Sequence, residues 1–213
     1  MRDIPVFTTE HGAAGLVLRE IPYRGIAYIT LHDTCEPKEL LQECVDFCKM
    51  AGAERIYATG HSFLEAFELH TALWRMGRTL ADLPQTDAKI CPVTEQTLNF
   101  WQELYNEKMR SVPNSAYMTK ADAQKHQKQG TGYYIYREDT LLGIGITSGE
   151  TVETVIAVKP GAGADVLLAL CGTLCSEQVF LEVASTNLPA IRLYEKLEFQ
   201  RIAELSRWYV VAE

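Results

Sequence analysis

Apolar residues along this chain keep two periods, one of two residues and one of about 3.6, and their alternation divides the sequence into elements. Residues 16–20 and 25–31 are rich in β-branched and aromatic side chains and read as strands, with a turn around Pro22. Pro37 stands where the first turn of a helix tolerates proline, and Leu40, Leu41, Cys44, Phe47 and Cys48 then form a helical stripe. Gly52 lies near the end of that helix. Residues 55–59 read as a strand and 62–76 as a second helix, carried by Leu64, Leu69 and Leu73. The stretch 77–87 is mixed and polar and contains Pro84, so a junction is expected at 81–87 between a region 1–80 and a domain 88–213.

The second part begins with a short strand at 89–92. Thr94 is a plausible N-cap for a helix running to about Met109, with Leu98, Trp101, Leu104 and Tyr105 on one side. A polar helix from Thr119 ends at Gly130. Residues 133–137, 141–147 and 152–158 read as three strands joined by tight turns at Glu138-Asp139 and Ser148-Gly149. A helix at 165–175, a strand at 179–184, an amphipathic helix and a final strand at 207–211 complete the chain. The predicted class is α/β in the broad α+β sense, a mixed and mostly antiparallel sheet with flanking helices, preceded by a smaller αβ region.

Composition narrows the function classes. With 47% hydrophobic residues the chain can bury a real core. The start of the chain has no apolar stretch long enough for a leader, and no run approaches the roughly 18 apolar residues of a membrane span, so the expected compartment is the cytoplasm. A net charge of −8 argues against nucleic acid as partner and is compatible with a cationic amine. The six cysteines include two pairs spaced i, i+4 (Cys44/Cys48 and Cys171/Cys175) within leucine-rich stripes, the pattern of small core hydrophobes. No paired CxxC and no His cluster accompanies them, so no metal site is expected.

The most informative segment is 179–199, VFLEVASTNLPAIRLYEKLEF. A β-rich run meets Asn187, and a helix then carries Tyr194 to Phe199. Asn187 and Tyr194 are separated by about 700° of helical rotation and roughly 10 Å of rise, which puts them on one face. This segment resembles the end of the GNAT N-acyltransferase domain, whose pattern is a strand followed by N-x-x-A-x-x-L-Y-E-K-L-G-F. The match holds at Asn187, Ala190, Leu193, Tyr194, Glu195, Lys196, Leu197 and Phe199, and fails at Glu198, where the family has glycine. The element order predicted for 88–213 is also the family's.

The resemblance implies an N-acyltransferase that moves an acetyl group from acetyl-CoA to an amine by direct attack. In that family two neighbouring strands splay apart, the pantetheine arm fills the gap, and a backbone amide at the end of the first strand polarises the thioester carbonyl. Transferred to this chain, that amide falls within Ile156, Ala157 and Val158. Asn187 would contact the pantetheine arm or cap its helix, roles that do not exclude each other. Tyr194 would act as general acid toward the thiolate, or alternatively tie helix to sheet as a buried tyrosine. The pyrophosphate loop would be Val158-Lys159-Pro160-Gly161-Ala162-Gly163-Ala164-Asp165, with Gly161, Ala162, Gly163 and Ala164 permitting close backbone approach. It is shorter than the family loop, lacks its Arg or Gln, and sets an aspartate where a pyrophosphate would rest. Glu153 is the candidate general base, with Glu150 in the preceding turn; both also suit solvated carboxylates. His61, His70 and His126 have no nucleophile at a recognisable spacing.

A faint internal echo runs through the chain. Leu40, Leu41, Cys44 and Cys48 match Leu167, Leu168, Cys171 and Cys175, and Leu64, Ala66, Leu69 and Leu73 match Leu188, Ala190, Leu193 and Leu197. Either leucine-rich helices coincide by chance, or residues 1–80 are a degenerate GNAT-like half. On the second view Phe63 stands opposite Asn187 and His70 opposite Tyr194, leaving the first half without chemistry. The rival to an acetyltransferase is a catalytically silent GNAT-like binding or regulatory protein. The acceptor, a small molecule or a peptide amine, is open. A homodimer is compatible with apolar surface at Trp74 or Trp101.

Overall fold

The computed structural model describes residues 5–213, so Met1 to Ile4, on which the reading of the chain's start partly rests, lie outside the described residues. The chain divides into two units. One runs to Leu73 and takes in Glu204–Glu213; the other is Trp74–Ala203. The division falls inside a strand, not at 81–87, and the C-terminal segment belongs with the first unit.

In the first unit β1 (Val6–Thr9) and β2 (Gly12–Val17) form a hairpin, and a short helix α1 (Ile21–Arg24) leads into β3 (Ile26–Thr34). Helix α2 (Pro37–Met50) then returns the chain to β4 (Arg55–Thr59), which lies parallel to β3. The order is β1-β2-β3-β4, and the final strand β11 (Gln200–Ala212) pairs antiparallel with β4 through Tyr209 opposite Ala58. The apolar stripe of α2 is buried as expected, with Leu40, Cys44 and Cys48 fully enclosed against Ile29, Leu31 and Ile56. Burial pushes the Cys44 thiol up to about 12 and Cys48 to about 11, so neither is a reactive thiolate.

The helix expected at 62–76 is absent. Residues Ser62–Ala66 form a single 3₁₀ turn and Leu69–Thr79 form strand β5. The His61 ring accepts the Phe63 N–H at 3.0 Å and caps this single turn, which ends where Phe67 takes the extended conformation (φ −95, ψ 164). The Glu68 carbonyl then accepts from Val210, and sheet pairing overrides the leucine spacing. The proposed match of His70 with Tyr194 therefore fails, since His70 is on a strand and stacks on Tyr57.

From residue 88 onward the second unit follows the predicted order of elements. It contains β6 (Lys89–Pro92), α3 (Leu98–Met109), α4 (Lys120–Gln129), β7 (Gly132–Arg137), β8 (Thr140–Ser148), β9 (Thr151–Ala157), α5 (Gly163–Cys171), β10 (Gln178–Ala184) and α6 (Leu188–Lys196). Its strand order is β5-β10-β9-β8-β7-β6; β6 to β9 are antiparallel neighbours and β9/β10 are parallel. Helix α4 begins in a Thr119/Asp122 capping box and ends at Gly130 in the left-handed region. Trp101 is a core residue, fully buried with its indole N–H donating to the Tyr133 carbonyl at 3.2 Å, which removes it from any surface. Trp74 is half-buried under the Arg201 guanidinium, 4.1 Å from the ring centroid. Helix α5 ends at Cys171, so Cys175 is exposed and not part of a helical pair. Among the described residues no helix is long and apolar enough to cross a membrane.

The mismatch at Glu198 acquires a reason. Glu198 sits at φ +60; its N–H donates to Glu195 and that of Phe199 to Tyr194, both at 2.9 Å, the hydrogen bonds of a Schellman ending. Glycine suits that position because a Cβ in the left-handed region costs roughly 1–2 kcal/mol. The Glu198 carboxylate lies 3.5 Å from Arg78 but is 81% exposed, so the ion pair returns little. Glu198→Gly is expected to stabilise the protein by about 0.5–1 kcal/mol, measured by urea unfolding; a loss of stability would refute strain at this residue.

Candidate functional site

The second unit holds two parallel strands that meet at one end only. The Phe180 N–H donates to the Glu150 carbonyl at 2.9 Å, and Phe180 pairs with Thr151. No further register pair between β9 and β10 follows among the described residues. In the first unit the corresponding parallel strands β3 and β4 stay together over five successive pairs, Ile26/Arg55 to Thr30/Thr59. The same strand–helix–strand unit is thus closed in one half and open in the other.

The opening strand is also kinked. Against β8, Ile146 pairs with Thr154 and Thr147 with Val152, leaving Glu153 as the extra residue of a β-bulge. Beyond the bulge, the Thr154 and Ile156 carbonyls face β8, each beside a glycine of that strand, and the Val158 N–H donates to the Leu142 carbonyl at 2.8 Å. Backbone groups alternate along a strand, so those of Val155 and Ala157 point toward β10, into the gap. Of the three amides expected to serve the site, Ile156 and Val158 are turned toward β8 and Ala157 faces the opening.

Gly143 and Gly145 make this arrangement possible. A Cβ at Gly143 would lie 2.2 Å from the Ile156 carbonyl and 2.6 Å from Val166, and one at Gly145 would lie 2.3 Å from Leu170. Without side chains there, α5 can settle on β8 and carry its N-terminus to the end of β9. Sequence reading passed over both; the G-x-G spacing on one face of a predicted strand was the available signal.

The loop between β9 and α5 is compact. The Ala162 N–H donates to the Lys159 carbonyl at 3.1 Å, and Gly161 needs its freedom for φ +84. The first helical hydrogen bond runs from Val166 to Ala162, so the Gly163, Ala164 and Asp165 amides form the positive end of the helix. Gly163 also lets α6 approach, since a Cβ there would lie 2.9 Å from Leu193. Asp165 does not stand alone: its carboxylate accepts from Arg137 Nη2 at 2.7 Å and from Thr86 Oγ1 at 3.0 Å. Arg137 is also held by Asp87, with Nε 2.8 Å from its carboxylate. The negative charge at the helix start is therefore answered by a guanidinium from β7, a pairing that sequence reading did not find.

Asn187 caps α6. Its Oδ1 accepts the Ala190 N–H at 3.3 Å and its own N–H donates to the Ala184 carbonyl at 2.9 Å. Tyr194 lies deeper, packed in the core that α5 and α6 share, with its ring 6.1 Å from that of Phe199. Burial first, and then the neighbouring Cys171, push its phenol up to about 12. Glu153 is exposed on the bulge, and Glu182 is exposed on β10, two residues beyond the last paired position of each strand. Glu182 went unremarked in the sequence, although Val179, Leu181 and Val183 mark the buried face and leave it on the other. His61 and His126 serve local structure: the His126 ring is 3.0 Å from Thr131 Oγ1.

No family model matches the chain, and no curated protein matches it. Solved structures do. A GCN5-related N-acetyltransferase from Sphaerobacter thermophilus superposes with a TM-score of 0.59 at 14% identity, covering 94% of this chain and 77% of that one. The fold is that of the GNAT acetyltransferases. A tandem GNAT protein from the clavulanic acid biosynthesis pathway has TM-score 0.55 and 14% identity over 94% of this chain and 78% of its own. A functionally unknown conserved protein from Staphylococcus epidermidis reaches 0.63 at 12% identity, over 99% and 94%.

The tandem neighbour suits a chain whose two units share an order. In both, a parallel strand–helix–strand step (β3-α2-β4, β9-α5-β10) is followed by a short helical segment and a strand. Beyond Thr151/Phe180 the facing edges of β9 and β10 carry no further register pair among the described residues. Adjacent to them, the α5 amides can accept an anion.

Tyr194 offers a test of this packing. An ultraviolet phenolate titration of wild type minus Tyr194→Phe should isolate one phenol ionising near 12. Because the folded value exceeds that of a free tyrosine, the stability tied to this proton is complete below pH 10.0 and is lost as pH climbs toward 12. A difference curve centred at 10.0 would contradict the burial.

Proposed function

We propose that the unit Trp74–Ala203 is an N-acyltransferase that moves an acetyl group from acetyl-CoA to the amine of a small molecule or peptide. The observation that carries this reading is the opening between β9 and β10, closed in the equivalent strands of the first unit. The pantetheine arm would lie in that opening, along the edge that presents Ala157, and the pyrophosphate against the Gly163 and Ala164 amides. Pairing with Arg137, which is shared with Asp87, reduces the repulsion that the Asp165 carboxylate would otherwise exert. A Cβ at Gly161 would meet nothing within 4 Å, which leaves the backbone of the loop accessible there.

The chemistry follows from the groups at hand. The amine nitrogen attacks the thioester carbonyl, forming C–N, and the C–S bond breaks. The Ala157 N–H donates to the oxygen on which negative charge gathers. Glu153, exposed at the bulge, takes the proton that the amine gives up. The thiolate receives a proton; Tyr194 keeps its own at neutral pH and is the candidate donor. Free thiols at all six cysteines suit a reducing cytoplasm. The acidic chain suits a cationic acceptor better than a nucleic acid.

A second reading has its own support. Asn187 spends its Oδ1 on the helix cap and Tyr194 is packed in the core, which is what a GNAT-like binding protein without catalysis would also need. Acetyl-CoA separates fold from function. At about 100 times its dissociation constant it should raise stability by roughly 2.7 kcal/mol, read as an increase in melting temperature. No shift at millimolar ligand would remove both the donor site and the enzyme. Given a shift, Tyr194→Phe should bind acetyl-CoA as before and lose about 10²-fold or more in turnover across an amine panel. Unchanged turnover would take Tyr194 out of the mechanism, and binding with no turnover of any amine favours the silent protein.

A further inference from the structure

We propose that His11 is a protonation-dependent clasp that fastens the β1–β2 turn to the first turns of α2. The proposal concerns the first unit and stands apart from the acetyl-transfer reading. The imidazole lies between three carboxylates from separate places in the chain. Its Nδ1 contacts Glu36, the residue that precedes α2, and its Nε2 is 3.7 Å from Glu43 on α2 and 3.9 Å from Glu10 in the turn. Beside it is a cavity of about 330 Å³ lined by His11, Lys38, Glu39, Gln42 and Glu43.

The backbone holds the ring in place. The His11 N–H donates to Thr9 Oγ1 at 3.1 Å, and its carbonyl accepts from Thr34 Oγ1 at 2.6 Å. Thr34 Oγ1 in turn accepts the Glu36 N–H at 3.1 Å. Gly12 fixes the next step, since a Cβ there would fall 2.4 Å from the Asp33 carbonyl. The turn has little room to move while these bonds persist, so the ring meets its carboxylates in a set geometry.

Proton count then decides how many of them it can satisfy. Only the Glu36 contact is a hydrogen bond; neutral imidazole can make it with its single N–H, whereas imidazolium makes it and also sets a positive charge at ion-pair distance from Glu43 and Glu10. Glu43 faces the ring through Oε1, while its Oε2 is buried without a hydrogen-bond partner among the described residues, so a positive charge beside this carboxylate lowers the cost of its burial. Lys38 and the positive end of α2 oppose a second cation here, while Glu39, which lines the same cavity, favours it. The balance lies with the carboxylates: the bond to Glu36, then Glu43 and Glu10, raise the imidazole above its ordinary 6.5 against desolvation. A folded value above the unfolded one means that the clasp is fully engaged below pH 6.5 and releases as pH rises through the raised value.

NMR of the isotope-labelled full chain reads this directly, with the His11 ring signal assigned through bonds to its own backbone. The expected midpoint is above 6.5 in wild type and moves down toward 6.5 in Glu36→Gln. The melting-temperature gap between wild type and His11→Gln should be largest near pH 5.5 and shrink by pH 8.5, in about the window set by an ordinary imidazole and a raised one. A wild-type midpoint at or below 6.5, or a gap that does not vary with pH, overturns the clasp. If His11→Gln does not fold, the wild-type midpoint and its response to Glu36→Gln still decide.

Discussion

Two parallel strands that share a single pair of residues are the constraint on which the second unit turns. A parallel ladder normally propagates, because each added pair satisfies backbone groups that would otherwise face an apolar interior. At β9/β10 it stops after Thr151/Phe180. The Glu153 bulge re-aims β9, and pairing with β8 fixes which of its groups turn inward and which face the gap. The elements around it can then be understood as consequences. Gly143 and Gly145 allow α5 to lie close on β8, α5 brings its N-terminus to the mouth of the gap, and α6 packs on α5 through Gly163.

Charge placement completes that arrangement. A helix start favours an anion, and a built-in aspartate would occupy that role itself. Here Arg137 of β7 takes the Asp165 carboxylate, with Thr86 and Asp87 completing the group. The helix amides are left to interact with something else. Tyr194 follows a different logic, since the burial that fixes its ring also holds its proton. Positioning and protonation state then have one cause.

The two units show how one chain order can carry different capacities. β3 and β4 remain paired through Thr30/Thr59, and Gly60 brings the chain against the Leu31 carbonyl just beyond. A closed ladder has no edge to offer. After β4 a 3₁₀ turn takes the place of a helix like α6, so the first unit has no counterpart of Asn187 or Tyr194.

Local signals in the sequence determined much of this protein. The Asn187 to Phe199 pattern, the capping box at Thr119, the stripe on α2 and the order of elements from 88 to 213 are short-range regularities, governed by helical period, strand alternation and cap chemistry. Even the Glu198 mismatch was visible, although its meaning required a φ of +60. Tertiary structure alone decided the rest. Residues 69–79 carry helix-like leucine spacing and become a strand because neighbouring strands pair with them, which no window of sequence records. The pairing of Asp165 with Arg137, 28 residues away, and the turning of Ile156 and Val158, but not Ala157, toward β8 depend on which strand lies on which side. Periodicity is a property of neighbours along the chain. A wedge exists only where pairing stops, and that is settled between strands.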